Sequence, residues 1–214
     1  MIAVVDYQKG NLLSVERGLV AVGADASITS DAAEIARADA IVLPGVGAFA
    51  DAVATMNELG QMDAIADRVR AGVPFRGICL GMQLMFKFGV EGASAAFPTR
   101  GLGLLPGTVD LIPKTDARGR SFKVPHVGWN TVELTARGQK SELFEGIESG
   151  EYFYFTHSYV VPSGGADLAH TAHSIAFPCA VSFGDRAFGV QFHPEKSSDA
   201  GMRLLRNFVN LAKG

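Results

Sequence analysis

A cysteine lies at the centre of a glycine-flanked segment, where its thiol could act as a nucleophile. The segment Gly77-Ile-Cys-Leu-Gly81 follows a short apolar run and precedes a helix-length segment beginning near Leu80. This form is typical of the strand-to-helix turn that exposes a catalytic residue. Such a turn strains the central residue, and its flanking positions must lack a Cβ atom. The pattern therefore predicts a nucleophile at Cys79, against the alternative of a small buried hydrophobe.

The predicted position of Cys79 at a helix N-terminus adds to its reactivity. Unpaired N–H groups and a partial positive charge at that end of a helix favour the thiolate form of a cysteine. The N–H of Leu80 would point to where an acyl intermediate develops its negative oxygen, which makes it one donor of an oxyanion hole. The second donor is expected from Val46 or Gly47, in a segment that follows the neighbouring strand and ends at the same sheet edge.

A thiolate nucleophile needs a histidine that protonates the leaving amine and later activates water. His193 follows a strongly apolar run, and Glu195 stands two residues further on. Extended backbone would point both side chains to one side, so that Glu195 could orient the imidazole. The remaining histidines lie in loop-like segments (His126, His157) or in a polar strand pattern without a carboxylate at a matching spacing (His170, His173).

The two cysteines, Cys79 and Cys179, give no sign of a metal site. Neither has a second cysteine or a histidine at zinc-ligand spacing, so no metal and no cofactor are expected. Spacing alone leaves a disulfide open, but the absence of an export signal argues for a reducing compartment. Cys179 is therefore interpreted as a core residue.

Composition narrows the classes of protein. The chain has 214 residues, 48% of them hydrophobic and 19% charged, which suits a single domain over residues 1–214. A formal net charge of -3 with interspersed signs argues against nucleic acid as a partner. No stretch approaches the roughly 18 apolar residues of a membrane span, and the first residues carry an acid where a signal peptide is basic. A cytoplasmic protein away from membranes is expected.

The order of the elements predicts an α/β fold. Apolar strand runs at 2–5, 40–43 and 74–78 alternate with helical segments at 11–22, roughly 50–71 and 80–88, which indicates an open, mostly parallel central sheet flanked by helices. From about 101 to 192 the runs become Gly/Pro-punctuated, which favours an antiparallel, strand-rich second half. A C-terminal amphipathic helix follows Pro194. Long exposed loops are expected at 89–100 and 113–123.

Two motifs together resemble the class I (triad) glutamine amidotransferases. They are Gly77-Ile-Cys-Leu-Gly-Met-Gln83 and Val190-Gln-Phe-His-Pro-Glu195. Further segments are similar to the glutaminase subunits of imidazole glycerol phosphate synthase, and the match spans nearly the whole chain. These segments are Pro44-Gly-Val-Gly-Ala-Phe49, Gly101-Leu-Gly-Leu-Leu-Pro-Gly107, Pro125-His-Val-Gly-Trp-Asn130, Phe155-Thr-His-Ser-Tyr159 and Phe192-His-Pro-Glu-Lys-Ser197.

The resemblance implies glutamine hydrolysis through a γ-glutamyl thioester on Cys79. It matches Gly47, Gln83, Ser158 and Tyr159 to positions that hold glutamine. It also implies that the ammonia passes to a cyclase subunit with the (β/α)8-barrel fold, which makes imidazole glycerol phosphate and AICAR in histidine biosynthesis. The segment 125–130 resembles part of the surface that faces this partner in a heterodimer. The oxyanion hole around Val46 is expected to be completed only when the cyclase and its ligand are bound.

Departures from the family pattern occur at three positions. Gln8 and Lys9 stand where the family usually has Gly and a small or apolar residue, near the partner side. Arg76 stands where a buried strand usually has an apolar residue, so its charge needs a partner or an exit to solvent. Trp129 is interpreted either as an anchor at an interface or as a cap on the domain's own core.

Three other functions compete with this interpretation. An α/β-hydrolase with a cysteine nucleophile shares the turn, but its chain order is nucleophile, acid, histidine, whereas here the histidine precedes the acid. An amidotransferase serving anthranilate or GMP synthesis is a nearer alternative, which the segments 125–130 and 196–197 disfavour. A non-catalytic interaction subunit would keep the fold without the chemistry, and the presence of all three triad residues argues against it.

Overall fold

The computed structural model describes residues 1–94 and 96–213. The helices are α1 (Leu12–Ala21), α2 (Ala32–Ile35), α3 (Phe49–Glu58), α4 (Gln61–Arg70), α5 (Leu80–Leu84) and α6 (Ser198–Lys213). The strands are β1 (Ile2–Val5), β2 (Ala26–Thr29), β3 (Ala40–Gly45), β4 (Phe75–Cys79), β5 (Phe86–Ser94), β6 (Phe97–Arg100), β7 (Leu105–Leu111), β8 (His126–Leu134), β9 (Glu151–His157), β10 (Tyr159–Val160), β11 (Asp167–Ala172), β12 (Ala176–Phe183) and β13 (Ala187–Val190).

Within these described residues, nine strands form one sheet in the order β2-β1-β3-β4-β13-β12-β11-β8-β9. The strands from β2 to β13 in this order are mutually parallel, and the rest of the sheet is antiparallel. β13 joins the two parts, because it pairs in parallel with β4 and antiparallel with β12. The predicted α/β class, with a parallel sheet and an antiparallel second half, is confirmed.

A four-stranded sheet in the order β10-β7-β5-β6 lies beside the large one. It corrects two predictions. The helix expected over 80–88 ends at Leu84, because Phe86 and Phe88 pair with Leu105 and Thr108 of β7 instead. The loop expected at 89–100 consists largely of β5 and β6. The loop predicted at 113–123 has only an isolated bridge between Thr115 and Ser121 among its described residues.

The parallel strands are buried on both faces, as their unbroken apolar runs predict. In β1, Ile2 and Val4 join a core cluster that includes residues of α1 and α6, whereas Ala3 and Val5 join a second cluster with α3 and α4. Alternate side chains of a strand point to opposite faces, so helices must cover both. The core is thereby divided by the sheet into two layers.

Besides the early end of α5, the helices differ from the predictions at two points: α2 was not predicted, and one predicted helix is broken. The segment predicted as one helix over 50–71 is split into α3 and α4 at Gly60, whose φ of 67° lies in the left-handed region that favours glycine. The predicted C-terminal helix is α6, and its buried face includes Leu204, Leu205 and Phe208. No helix among the described residues has the length and apolar character needed to cross a membrane.

Candidate active site

Cys79 occupies the strained turn that the sequence predicts between β4 and α5. Its φ of 55° is positive, which is costly for a residue with a side chain. A Cβ atom at Gly77 would lie 2.4 Å from the carbonyl oxygen of Gly81, and a Cβ atom at Gly81 would lie 1.8 Å from that of Leu43. Both flanking positions therefore require glycine, because the helix packs directly against the strands at this turn.

His193 and Glu195 form a buried pair behind the nucleophile. The Nδ1 nitrogen of His193 lies 2.9 Å from Oε1 of Glu195, and their side chains are 4% and 1% exposed. The expected extended geometry over 193–195 is wrong in one respect. Only His193 is extended, and Pro194–Lys196 form a turn of 3-10 helix. The turn still brings the carboxylate to the imidazole, because proline fixes its first backbone dihedral.

The turn that carries His193 and Glu195 is hydrogen-bonded to the edge strand β9. The backbone N–H of His193 donates to the carbonyl oxygen of Tyr154 at 2.9 Å, and the Tyr154 N–H donates to Oγ of Ser197 at 3.0 Å. That hydroxyl donates in turn to the His193 carbonyl at 2.6 Å. The backbone of His193 is consequently held both by β9 and by Ser197 of its own turn, which limits the positions that the imidazole can take.

The surroundings of His193 keep its imidazole protonated. Burial acts to lower its pKa, but the interactions with Cys79 and Glu195 outweigh burial and raise the pKa to about 9. Nε2 of His193 has no direct hydrogen bond to any described residue, so its approach to the Cys79 thiol is looser than a hydrogen bond. Catalytic hydrogen bonds often tighten only when substrate is bound. A proton is thus held on the side of the ring that faces the nucleophile.

A cleft of about 350 Å³ opens over Cys79. All the residues predicted for the oxyanion hole and for substrate binding line it together with the nucleophile: Val46, Gly47, Leu80, Gln83, Ser158 and Tyr159. His193 and Glu195 are buried and are not among its lining residues. A larger cleft of about 610 Å³ lies beside the end of α6, and its lining residues include no member of the triad. The smaller cleft is therefore the candidate active site.

Two buried glutamines connect the cleft to the sulfur of Cys79. The side-chain amide of Gln83 donates to the carbonyl oxygen of Tyr159 and to Oε1 of Gln191, both at 3.1 Å. Nε2 of Gln191 donates to Sγ of Cys79 at 3.5 Å. The sulfur also lies 3.7 Å from the Thr156 carbonyl oxygen. The sequence analysis missed Gln191, although a fully buried amide inside an apolar strand run is a signal of a required partner.

Glu91 is a second residue that the sequence analysis missed. Its carboxylate is half-buried in the cleft, and burial raises its pKa. The Phe49 N–H opposes this shift, and the charge of Asp51 adds to it. The pKa of Tyr159 is raised by burial and by the charge of Glu91. The cleft thus holds an acid close to Tyr159, in a segment that was predicted to be a loop.

The loop that should supply the second oxyanion donor packs on Tyr7. The phenol oxygen of Tyr7 is 2.1 Å from where a Cβ atom of Gly45 would lie, so only glycine fits there. Burial and the charge of Cys79 raise the pKa of Tyr7, and the Val46 N–H opposes them. That N–H does not reach hydrogen-bond geometry, and the phenol oxygen has no partner among the described residues. The Val46 amide therefore lies near Tyr7 without a hydrogen bond to its phenol oxygen, and the Val46 side chain is 43% exposed.

The three departures from the family pattern are accommodated differently. Lys9 pairs with Asp51 at 3.1 Å on the surface, and Gln8 has a positive φ of 67°. Arg76 is fully buried and does not reach solvent. Its Nη1 donates to the Leu204 carbonyl at 3.1 Å, and its Nε and Nη2 have no partner in the described part of the chain. Burial lowers the pKa of Arg76 to about 9, against the opposing charge of Glu195.

The other histidines correct the sequence interpretation. His126 and His157 are not in loops, because they begin β8 and end β9 and are paired across these strands. His170 does have a carboxylate partner, since its Nε2 lies 3.0 Å from Oδ2 of Asp167. Cys179 is fully buried in the core, and both cysteines are free thiols.

A thiol at a strained turn, facing a buried histidine–glutamate pair at the edge of a parallel sheet, defines a site built for acyl transfer through a thioester. The family model described as glutamine amidotransferase class-I matches residues 3–211. The chain therefore belongs to the class I glutamine amidotransferases and, within them, to the family of imidazole glycerol phosphate synthase subunits HisH, to which it is similar over its full length.

The relatives are similar along their whole chains. The HisH subunit of Caldanaerobacter subterraneus subsp. tengcongensis is 43% identical over 100% of this chain and 99% of its own. That of Moorella thermoacetica is 43% identical over 99% and 95%. Among solved structures, a glutamine amidotransferase has a TM-score of 0.73 at 23% identity and covers 100% of both chains. A chain of PurLQS from Thermotoga maritima has a TM-score of 0.70 at 19% identity, over 98% and 97%. These structures support the fold.

Proposed function

We propose that this chain is the glutaminase subunit of an imidazole glycerol phosphate synthase and acts as a single domain over residues 1–214. The observation that carries the proposal is the buried His193–Glu195 pair behind Cys79, in a chain whose full-length relatives are HisH subunits. We place the activity in the cytoplasm, because both cysteines are free thiols and fit a reducing compartment.

The first half of the reaction forms a thioester. The Cys79 thiolate adds to the side-chain amide carbon of glutamine, and the carbonyl oxygen becomes an oxyanion that the N–H groups of Leu80 and the 46–47 loop stabilise. The imidazolium of His193 gives its proton to the departing nitrogen, and the C–N bond breaks. Ammonia and a γ-glutamyl thioester on Cys79 result. The raised pKa of His193 suits this step because the proton is already in place.

The second half of the reaction releases glutamate. His193, now neutral, takes a proton from a water molecule that attacks the thioester carbon. The oxyanion forms in the same place, and its collapse breaks the C–S bond and restores the thiolate. Glu195 holds the imidazole orientation through both halves and stabilises its charged form.

The cleft has groups that suit glutamine in particular. Gly47, Gln83, Ser158 and Tyr159 lie around the nucleophile, as the family resemblance implies. We add Glu91, because a carboxylate in the cleft can pair with the α-ammonium group of an amino acid. That charge suits a substrate with an α-ammonium group, such as glutamine, better than an uncharged ester.

An exposed apolar surface on β8 and β9 supports the proposal of a cyclase partner. Val127, Trp129 and Tyr152 are 56%, 51% and 57% exposed. The ring of Trp129 packs edge-on against Tyr154 at 6.1 Å, and half of the side chain stays in contact with solvent. Trp129 therefore does not serve as a closed cap on the core, and large exposed aromatics are typical anchors of an interface. A docked partner would also keep the released ammonia away from water, where it would be protonated.

The same partner is expected to complete the oxyanion hole. The Val46 amide lies near Tyr7, and the exposed Val46 side chain leaves the loop free to change its conformation. The isolated chain should therefore hydrolyse glutamine slowly, and addition of the cyclase with its nucleotide ligand should accelerate it. Full activity of the chain alone would contradict this part of the proposal.

The decisive test is Cys79→Ala in the complex with the cyclase. Glutamine-dependent synthesis of imidazole glycerol phosphate should be lost, whereas synthesis from added ammonium salts should continue. Cys179→Ala removes the other buried thiol and serves as the matched control, which should retain both activities. Loss of both activities by Cys79→Ala with assembly intact, or survival of the glutamine-dependent one, would refute the division of labour.

A further inference from the structure

A run of hydrogen bonds connects β8 to the candidate substrate cleft through two histidines. Nδ2 of Asn130 lies 3.3 Å from Nε2 of His126. Nδ1 of His126 lies 3.0 Å from Nε2 of His157, and Nδ1 of His157 lies 3.0 Å from the carbonyl oxygen of Tyr159. No step of the reaction described above uses either histidine.

The direction of these hydrogen bonds is fixed at both ends. A carbonyl oxygen can only accept, so Nδ1 of His157 must carry the proton and its Nε2 must accept. His126 then has to donate from Nδ1, which leaves its Nε2 as an acceptor. The other end agrees independently: Oδ1 of Asn130 accepts the N–H of Thr131 at 2.9 Å, so its Nδ2 is the donor that faces His126. Both imidazoles are consequently neutral Nδ1–H tautomers.

The packing around the pair favours the neutral state. His126 and His157 are 5% and 6% exposed. His126 stacks on Phe155 and on His173, and His157 packs edge-on against Phe177. Burial lowers the pKa of His126 to about 4 and that of His157 to about 3. Near neutral pH both rings therefore bridge donors and acceptors without carrying charge.

The hydrogen bonds continue from the Tyr159 carbonyl to the nucleophile. That oxygen also accepts from Gln83 at 3.1 Å, and Gln83 donates its second proton to Gln191, which donates to the Cys79 sulfur at 3.5 Å. The Tyr159 carbonyl is the shared acceptor at which the histidine pair meets the glutamine pair. A change in its position would alter both the cleft and the hydrogen bond on the sulfur.

We propose that His126 and His157 are positioning residues for the reaction at Cys79. As two neutral Nδ1–H tautomers they hold the Tyr159 carbonyl in place, and through Gln83 they fix the orientation of the amide that donates to the sulfur. This inference rests on the glutaminase function proposed above.

The first test is independent of catalysis. Nitrogen-15 NMR of the imidazole rings in the full chain near neutral pH should report His126 and His157 as neutral Nδ1–H tautomers. Free histidine favours the Nε2–H form, so this outcome is not expected by default. Detection of an Nε2–H tautomer or a charged ring for either residue would overturn the proposal, whatever the chain's activity.

The second test uses variants in the complex with the cyclase. His126→Phe keeps an aromatic ring but removes the donor to His157, and it should raise the KM for glutamine roughly tenfold with ammonia-dependent synthesis unchanged. His126→Asn places an amide N–H near the former Nδ1 position and should restore most of the lost affinity. His170→Gln, a histidine change on the same sheet outside the site, is the control and should behave as the parent chain.

The outcomes separate the two proposals. If the parent complex has no glutaminase activity, the proposed function is refuted. The NMR measurement then still tests the tautomers of His126 and His157 separately. If the parent is active and His126→Phe and His126→Asn are equally impaired, or neither is impaired, the positioning role is refuted. If His126→Phe does not fold, the tautomer measurement on the parent chain decides.

Discussion

Glu195 accepts a hydrogen bond from Nδ1 of His193 at 2.9 Å, and both side chains are almost completely buried. Oε2 of the same carboxylate has no hydrogen-bond partner among the described residues. A buried carboxylate that directs its interactions to one imidazole orients that ring strongly and favours its charged form. Glu195 therefore helps to keep the imidazole of His193 charged beside Cys79.

The pH dependence of acylation should follow His193. Its pKa is raised from 6.5 to about 9, so the imidazolium needed to protonate the leaving amine persists up to about pH 9 and is lost above it. Acylation of Cys79 by glutamine should accordingly fall as the pH rises through 9. Glu195→Gln removes an attraction that raises this pKa, and the decline should begin roughly one unit lower.

Single-turnover acylation measured across the alkaline range would check this behaviour. Glu91→Gln is the matched control. It also replaces a glutamate by glutamine, but this glutamate lines the cleft and does not contact His193. An alkaline limb that stays in place in Glu195→Gln would show that a group other than His193 controls it.

Glu91 should contribute to substrate affinity and not to the chemical step. Glu91→Gln keeps the size of the side chain but removes the negative charge that we propose to pair with the α-ammonium of glutamine, so the KM should rise roughly tenfold with kcat little changed. Steady-state glutaminase kinetics of the complex would measure both constants. Glu148→Gln, on the surface, provides a control for the loss of one charge. An unchanged KM would remove Glu91 from the binding site.

The nucleophile turn should not tolerate a methyl group at Gly81. A Cβ atom there would lie 1.8 Å from the Leu43 carbonyl oxygen, a backbone atom that cannot move without disturbing β3. We expect Gly81→Ala to lower the free energy of unfolding by about 3 kcal/mol or more. Gly165→Ala is the control, because a Cβ atom at Gly165 meets nothing within 4 Å. Denaturant unfolding of both variants measures the difference, and equal stabilities would contradict the packing of the turn.

Arg76 should be replaceable by an apolar residue without loss of stability. The buried guanidinium makes one hydrogen bond to Leu204, leaves Nε and Nη2 unpaired and lies 5.7 Å from the ring centre of Phe208. Burial of a poorly paired cation is unfavourable, so Arg76→Met should raise the free energy of unfolding at pH 7 by about 1 kcal/mol. Exposed Arg206→Met is the control. A loss of several kcal/mol would instead mark Arg76 as the essential counter-charge of Glu195.

The parts of the site that depend on local geometry could be predicted from the sequence. The glycines around Cys79 are dictated by the backbone of the turn, and His193 and Glu195 are only two residues apart. The strand pairings could not be predicted as well. β13 pairs with β4, which lies more than a hundred residues earlier, and nothing in either strand specifies the other. Glu91 was missed for that reason, because it lies on β5, whose pairing with β7 was not predicted.

Two errors in the secondary structure have separate physical causes. The break at Gly60 had a signal, since glycine favours the left-handed conformation that ends a helix, and the length of the apolar pattern concealed it. The early end of α5 had no such signal in the sequence. Phe86 and Phe88 fit a helix or a strand equally well, and pairing with β7 decides between them.

The hydrogen bonds between β9 and the turn at 193–197 also affect how the edge of the sheet can pair with another chain. β9 ends the nine-stranded sheet, and such an edge is a template on which another chain can add a strand. Here the backbone of Tyr154 is occupied by His193 and Ser197, and the Thr156 carbonyl faces the Cys79 sulfur. The turn that carries His193 and Glu195 thus also covers part of an edge on which another chain could otherwise add a strand.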